Sequence, residues 1–425
     1  MINMSTRFNY LIICLLIAAC STPKKSMVQQ STGDSNVLDS LLKSHPEFFA
    51  SILKNKQDLN VQVIYTQINR DANNNPLFTD ITFNVDNQKY FYPASTVKMP
   101  IALLALQKLN ELNISGLDRT TSMITDSSYF GEQKVLTDPL SVDGKPGIEQ
   151  YIKEIFLLSD NNAFNRLYEF LGQEYINTQL HNKGYSNAEI LHRLSVPLSE
   201  EQNRHTNAVA FYDTASNIIY QQGAQYNSKT YSKKDIRLGK GYYKNGTLVK
   251  EPFDFSKKNR LTLPELHAIL RSVIFPGSVS VKQRFNLSEA DYNFLHKSMS
   301  TLPRESKSPV YDTADYWDAY VKFLLYGSEK GTLPEHIRIF NKVGDAYGFL
   351  TDVAYIVDFK SNTEFMLSAT ILCNSDGIFN DDHYDYEEVG FPFMKHLGEV
   401  IYQYELNRKK TYLPDLGKFK FDYND

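Results

Sequence analysis

Ser95 and Lys98 stand three residues apart in the stretch Tyr90 to Leu109, Tyr-Phe-Tyr-Pro-Ala-Ser-Thr-Val-Lys-Met-Pro-Ile-Ala-Leu-Leu-Ala-Leu-Gln-Lys-Leu. Positions i and i+3 lie on one face of a helix, so a hydroxyl and an amine at that spacing can meet. Serine is a weak nucleophile until an adjacent base takes its proton. Lysine becomes such a base when burial or cationic neighbours lower its pKa. The start of a helix also offers backbone N–H groups to a developing oxyanion. The spacing alone is a weak signal, because Ser21/Lys24, Ser40/Lys43 and Ser51/Lys54 repeat it. Context separates the fourth pair. It follows an aromatic, strand-like run and a turn at Pro93-Ala94, and it leads a helix, Ile101 to Leu112, too apolar for a surface element. A lysine buried there calls for a purpose.

Other chemistries find less support. The nine His show no His-x-x-x-His spacing and the cysteines form no cluster, so the sequence predicts no metal site and calls for no cofactor. A net charge of −4 excludes an electrostatic case for nucleic acid. Arg7, the short apolar run Leu11 to Ala19 and the ending Ile17-Ala18-Ala19-Cys20 read as a targeting leader over residues 1–19. That ending resembles the lipobox of a bacterial lipoprotein. The resemblance implies cleavage before Cys20, a lipid on its thiol, and attachment to the bacterial cell envelope, facing the periplasm or the cell surface. Cys14 leaves with the leader, so Cys373 is the other thiol of the mature chain and no internal disulfide forms. Residues 20–35 are polar and read as a flexible tether.

The elements that must position Ser95 and Lys98 follow from periodicity. Asn36 to Asn60 reads as a helix interrupted at Pro46. Val61 to Tyr65 and Phe78 to Val85 alternate as strands, and the second leads into Tyr90 to Tyr92. Asn113 to Gly147 reads as loop with one or two short helices. Ile148 to Leu158 and Asn162 to Leu171 have helical periods, with a break at Ser159-Asp160-Asn161 and a Gly172 cap. Polar residues at such a break are commonly caps, and taken alone Ser159 is one. Tyr185 to Ala208 is irregular. Ser216 to Lys258 reads as an insertion with a solvated, basic surface and a hairpin at Asn245-Gly246. Leu261 to Phe275 is an amphipathic helix, and Leu295 to Tyr326 reads as mostly helical. A strand Ile337 to Asn341 ends at Lys342-Val343-Gly344. Phe349 to Asp358 and Phe365 to Asn374 follow as strands, and Val389 to Leu406 closes the chain as a helix. Short turns between strands imply an antiparallel sheet.

Ser95-Thr96-Val97-Lys98, Ser159-Asp160-Asn161 and Lys342-Val343-Gly344 stand in an order that resembles the penicillin-recognising serine enzymes, the class A β-lactamases and penicillin-binding proteins. The resemblance covers about residues 36 to 410. It implies an α/β (α+β) domain over 36–415. Its antiparallel sheet is flanked by helices and formed from both chain ends (36–98 and 261–415), with an all-helical subdomain, about 99–260, inserted between. It implies Ser95 as the acylated nucleophile, Lys98 as its base or proton relay, and Ser159 as the proton donor to the leaving nitrogen. Asn161 holds the substrate amide, and Lys342 supplies positive charge near Ser159 and the substrate carboxylate. Gly344 or a close neighbour joins Ser95 in the oxyanion hole. The implied substrate is a β-lactam or a D-alanyl peptide of peptidoglycan.

Two positions depart from the family's pattern. Val343 stands where Thr or Ser is usual and offers the substrate carboxylate no hydroxyl. Arg193-Leu194-Ser195 matches the family's Arg-x-Glu but ends without a carboxylate, which leaves Glu200 and Glu201 as candidate deacylation bases. These departures also support another reading, a catalytically weakened lipoprotein that binds peptidoglycan or a partner protein on the same scaffold.

Overall fold

The structure, a computed structural model, describes residues 37–128, 134–231 and 234–423. The leader, the lipidation at Cys20, the tether over 20–35 and Asn36 lie outside the described residues. Helices α1 (Val37–Ser44) and α2 (Pro46–Lys54) meet at Pro46, which takes the first turn of α2, where a missing N–H breaks no helical bond.

The sheet draws on both sides of the sequence. β1 (Gln62–Arg70) and β2 (Pro76–Phe83) come from the N-terminal side; β3 (Ile337–Ala346), β4 (Phe349–Asp358) and β5 (Thr363–Leu372) come from the C-terminal side. Their order is β3-β4-β5-β1-β2, and every neighbouring pair is antiparallel. Between β2 and β3 the chain builds α3 (Lys98–Leu112), α4 (Ile148–Leu157), α5 (Asn161–Leu171), α6 (Gln173–Asn182), α7 (Glu200–Arg204), α8 (Leu263–Ile274) and α9 (Glu289–Ser300). After β5 comes α10 (Phe391–Asn407).

Alternation along the strands sorts the core into two. Phe340, Val353, Tyr355 and Met366 pack with α8 and the helices of the insert. Ile339, Val343, Ala354, Ile356 and Leu367 pack with α1, α2 and α10. β4 is buried along its whole length, because both faces of the sheet are covered. At roughly 1.5–3 kcal/mol per fully buried large apolar side chain, these layers are what hold the sheet rigid under the cleft. Helix α3 is buried all round from Lys98 to Leu109, as its composition predicts, and ends on Asn113 in the left-handed region. Among the described residues no helix is long and apolar enough to cross a membrane.

Five expectations need correction. The insert over about 99–260 is not all-helical, since it also holds strands such as Ser122–Thr125, Val209–Tyr212 and Ile218–Gln222, paired in one antiparallel sheet. Tyr90 to Tyr92 is extended but joins no strand ladder; β2 stops at Phe83, and Asn60 Nδ2 donates to the Tyr90 carbonyl in a ladder partner's place. The described part of 113–147 holds a strand, Ser122–Thr125, paired with Val209–Tyr212, and no helix. Helix α9 ends at Ser300, and the chain from Pro303 to Tyr326 is turns. Side chains fix these turns: Asp352 Oδ2 accepts from the Phe323 and Leu324 amides, and Asp318 Oδ2 from the Leu333 amide. Lys342-Val343-Gly344 lies inside β3, which runs on to Ala346 and turns through Tyr347 and Gly348, both at positive φ.

The insertion is less solvated than its composition implies. Its hairpin does turn at Asn245-Gly246. Phe255, however, is fully buried, and Phe253 packs on Tyr347 at the tip of the β3–β4 turn. Gly241 and Tyr242 pair in parallel with Ile378 and Phe379, which ties the insertion to the chain beyond β5.

Candidate active site

Ser95 sits in a single 3₁₀ turn, Ala94–Val97, that runs straight into α3. Ala94 enters it at φ +46°, a conformation costly for a residue with a Cβ and found where the surrounding fold over-determines the backbone. The Thr96 hydroxyl donates to the Pro93 carbonyl at 2.6 Å and pins the turn. Strand β3 closes against it at Gly344. A Cβ there would stand 2.7 Å from the Pro93 carbonyl oxygen and 2.8 Å from the Ser95 amide nitrogen, so only glycine lets the strand approach.

Lys98, the first residue of α3, is completely buried. Its Nζ lies 2.8 Å from Ser95 Oγ, 2.8 Å from Asn161 Oδ1 and 3.2 Å from Ser159 Oγ, and it also contacts the Ser159 carbonyl. Ser159 presents both oxygens because its φ is +61°, while Asp160 caps α5 by accepting from the Ala163 amide at 2.8 Å. From the other side, Lys342 Nζ donates to Ser159 Oγ at 2.8 Å and to the Val343 carbonyl at 2.9 Å. Ser159 Oγ therefore lies between the two amines.

The electrostatics favour a neutral base. Burial pushes Lys98 down to about 7, against the opposing pull of Asp160 and Asp345. Lys342 is held well below the ordinary lysine range, first by burial and then by the Lys98 charge. The sequence suggests that two clustered ammoniums depress one another; in the structure desolvation is the larger cause for both.

Ser95, Lys98, Ser159, Asn161 and Lys342 thus converge, with Gly344 against the Ser95 amide. Glu200 and Glu201 do not join them. They are the first-turn acids of α7, where negative charge complements the helix dipole. Glu200 pairs with Lys257 and Arg204, and Glu201 with Arg204 and His205. The place beside Asn161 belongs instead to Ser195, whose Oγ accepts from Asn161 Nδ2 at 2.9 Å. Ser195 stands at φ +54°, after two residues that are firmly anchored. Arg193 donates to Glu169 at 2.6 Å in a fully buried pair, and Asn165 makes two hydrogen bonds to the Leu194 backbone. The sequence signal for Ser195 was its position two residues after Arg193, which marks a missing carboxylate and says nothing of the contact. Val343, whose lack of a hydroxyl bears on carboxylate binding, turns from Lys342 into the core under α10 and is 1% exposed.

Comparison with known proteins finds a family match over part of the chain. Residues 47–234 match the β-lactamase enzyme family, a segment that holds Ser95, Lys98, Ser159 and Asn161 and stops before Lys342. No curated protein matches the sequence. Solved structures that align include a β-lactamase from Chitinophaga pinensis, at 12% identity and TM-score 0.47 over 86% of this chain and 99% of that one. A class A β-lactamase from Clostridium kluyveri aligns at 14% and 0.46, over 84% and 98%. A β-lactamase from Sphaerobacter thermophilus aligns at 12% and 0.46, over 86% and 97%. By its antiparallel sheet with flanking helices and by the segment 47–234, the chain has a β-lactamase/transpeptidase-like fold and is similar to the β-lactamase enzyme family.

Proposed function

We propose that the protein is a serine hydrolase that forms an acyl-enzyme on Ser95 with a β-lactam or a D-alanyl peptide. The observation that carries this reading is the 2.8 Å contact between Lys98 Nζ and Ser95 Oγ, with the amine lowered to about 7. In its neutral form Lys98 takes the hydroxyl proton as Oγ bonds to the substrate carbonyl carbon. The oxyanion receives the Ser95 amide and an N–H of β3 beside Gly344. When the tetrahedral intermediate collapses, the C–N bond breaks and Ser159 Oγ passes a proton to the departing nitrogen. Ser159 recovers that proton from Lys98 or Lys342, both within hydrogen-bond reach. Water then attacks the ester, releasing the acid and restoring the serine. The edge of β3 pairs with the extended backbone of the substrate.

The test is intact-mass spectrometry after incubation with a penicillin. A stoichiometric adduct is expected on the wild type and none on Ser95→Ala. No adduct from a penicillin, a cephalosporin or a D-alanyl thioester ends the reading.

Ser195 favours a slow second half-reaction. Among the described residues the Arg193 loop brings Ser195 and no carboxylate to Asn161, so the acyl-enzyme persists, and the protein serves as a transpeptidase-like or binding protein more than an efficient lactamase. Ser195→Glu places a base at that spot and is expected to shorten the adduct's lifetime by about 10²-fold or more. An unchanged lifetime removes Ser195 from this account. The same reading includes attachment to the cell envelope through a lipid on Cys20, supported by the small-residue ending before it. Cys20→Ala is expected to move the protein from the membrane to the soluble fraction.

A further inference from the structure

A second cavity opens on the far side of the Ser159–Asn161 turn. It encloses about 500 Å³, which suits a small molecule. Ser159 and Asn161 turn their side chains to Lys98, while Asp160 between them lines this cavity. Among the described residues, the groups lining it include none of Ser95, Lys98 and Lys342.

Three side chains on its wall hold buried polar atoms without a hydrogen-bond partner among the described residues: Asp138 Oδ2, the Tyr151 hydroxyl and Arg166 Nη1. Asp138 and Tyr151 are 7% and 3% exposed. Folds rarely leave such atoms unpaired, and the Tyr151 hydroxyl and Arg166 Nη1 around one space point to a partner beyond the described residues. Glu154, also buried, stands against Asp138; burial and that neighbour push it up to about 8. At neutral pH Glu154 is therefore held toward its protonated form and can turn a proton to Asp138. The Glu154 proton can serve a carboxyl oxygen of Asp138 and does nothing for Tyr151 or Arg166. The other charges on the wall are engaged, since Asp160 caps α5 and Arg193 pairs with Glu169. What remains is the Asp138–Glu154 carboxyl pair, the Arg166 guanidinium, and the Tyr151 hydroxyl, on which all three groups act.

A carboxyl pair and a guanidinium on the wall of one cavity complement a molecule that carries both an ammonium and a carboxylate. We propose that this cavity is a second ligand site, for the zwitterionic head of a free amino acid. The ammonium meets Asp138 and Glu154, the carboxylate meets Arg166, and Tyr151 bonds to the carboxylate. The site stands apart from the acyl chemistry and does not rest on it.

Titration calorimetry on the Ser95→Ala protein tests this with no acylation to confuse the signal. The probes are glycine, alanine of either hand and lysine, against acetate, methylamine and N-acetylglucosamine. Amino acids are expected to bind; the single-charge compounds and the sugar are not. Tyr151→Phe is expected to weaken binding about tenfold, and Arg166→Gln by at least as much. Tyr151→Phe also removes an unpaired buried hydroxyl, so its thermal stability is expected to equal or exceed the parent's. Absence of binding by every amino acid, equal binding by either variant, binding of the sugar alone, or a destabilised Tyr151→Phe overturns the proposal.

Discussion

The two faces of β3 each meet a buried lysine, in two different employments. On the cleft face Lys342 joins Lys98 around Ser159. On the opposite face Asn341 Oδ1 accepts from Lys322 Nζ at 2.7 Å, and Asn341 Nδ2 donates to Asp352 Oδ1 at 2.9 Å. Lys322 and Lys98 are both buried, and burial pushes both down to about 7. Their partners differ. Lys98 reaches two hydroxyls, which can lose protons. Lys322 reaches the Met299 carbonyl and the Asn341 amide oxygen, which cannot. A depressed lysine pKa therefore marks burial; a hydroxyl within its reach marks chemistry.

Exchanging each lysine for methionine, which keeps the length and removes the amine, sharpens the contrast most. Lys98→Met is expected to slow acylation of Ser95 by about 10²–10⁴-fold, the usual contribution of a positioned base. Stopped-flow mixing with a reporter penicillin reads it. Lys322→Met strands the Met299 carbonyl and the Asn341 oxygen and takes a countercharge from Asp352. The expected loss is about 3 kcal/mol of unfolding free energy in denaturant melts, with acylation by the folded fraction unchanged. If Lys322→Met lowers the acylation rate as much as Lys98→Met, the two faces are one machine and the comparison fails.

Titration gives the next effect. Below about 7 the Lys98 amine is protonated and accepts nothing, so the acylation rate is expected to fall about tenfold per pH unit there and to level off above. For Lys322 the readout is stability. Its folded pKa lies below the unfolded value, so from about 7 up to the ordinary lysine range the folded state binds fewer protons than the unfolded. Raising the pH through that window favours folding, and below it the gain is absent. Wild type is thus expected to gain on Lys322→Met as pH rises from 7, and a gap that narrows instead contradicts the assignment.

What the sequence revealed of all this depends on distance along the chain. Ser95 and Lys98 were legible because one turn of helix relates them, and a short Gly-containing turn, read over Asp345 to Gly348, made β3 and β4 adjacent on inspection. Ser159 read alone as a helix cap, and the order of three motifs was needed to lift it into the site. Asn341 and Lys322 gave no signal, since their bond joins a strand to a turn-rich segment that looked helical. The parallel pairing of Gly241 with Ile378 was hidden for the same reason. Gly344 shows a different limit. In sequence it looks like a strand terminator, yet it lies inside β3 because the Ser95 turn leaves no room for a Cβ.

Val343 provides the smallest test and the finest division of the two faces. It lies between Lys342 and Gly344 but faces Asp352 across the ladder and packs under α10. Val343→Thr restores the residue type usual at this position in the penicillin-recognising enzymes. If that hydroxyl reached a substrate carboxylate, acylation by penicillins would speed up. The burial of Val343 argues otherwise: threonine here buries a hydroxyl among apolar side chains, and the exchange is not neutral despite equal shape. The expected result is a loss of about 1–2 kcal/mol in stability with the acylation rate of the folded protein unchanged. A faster acylation at equal stability would mean that the strand rotates this side chain into the cleft, and the separation of the two faces would end at this residue.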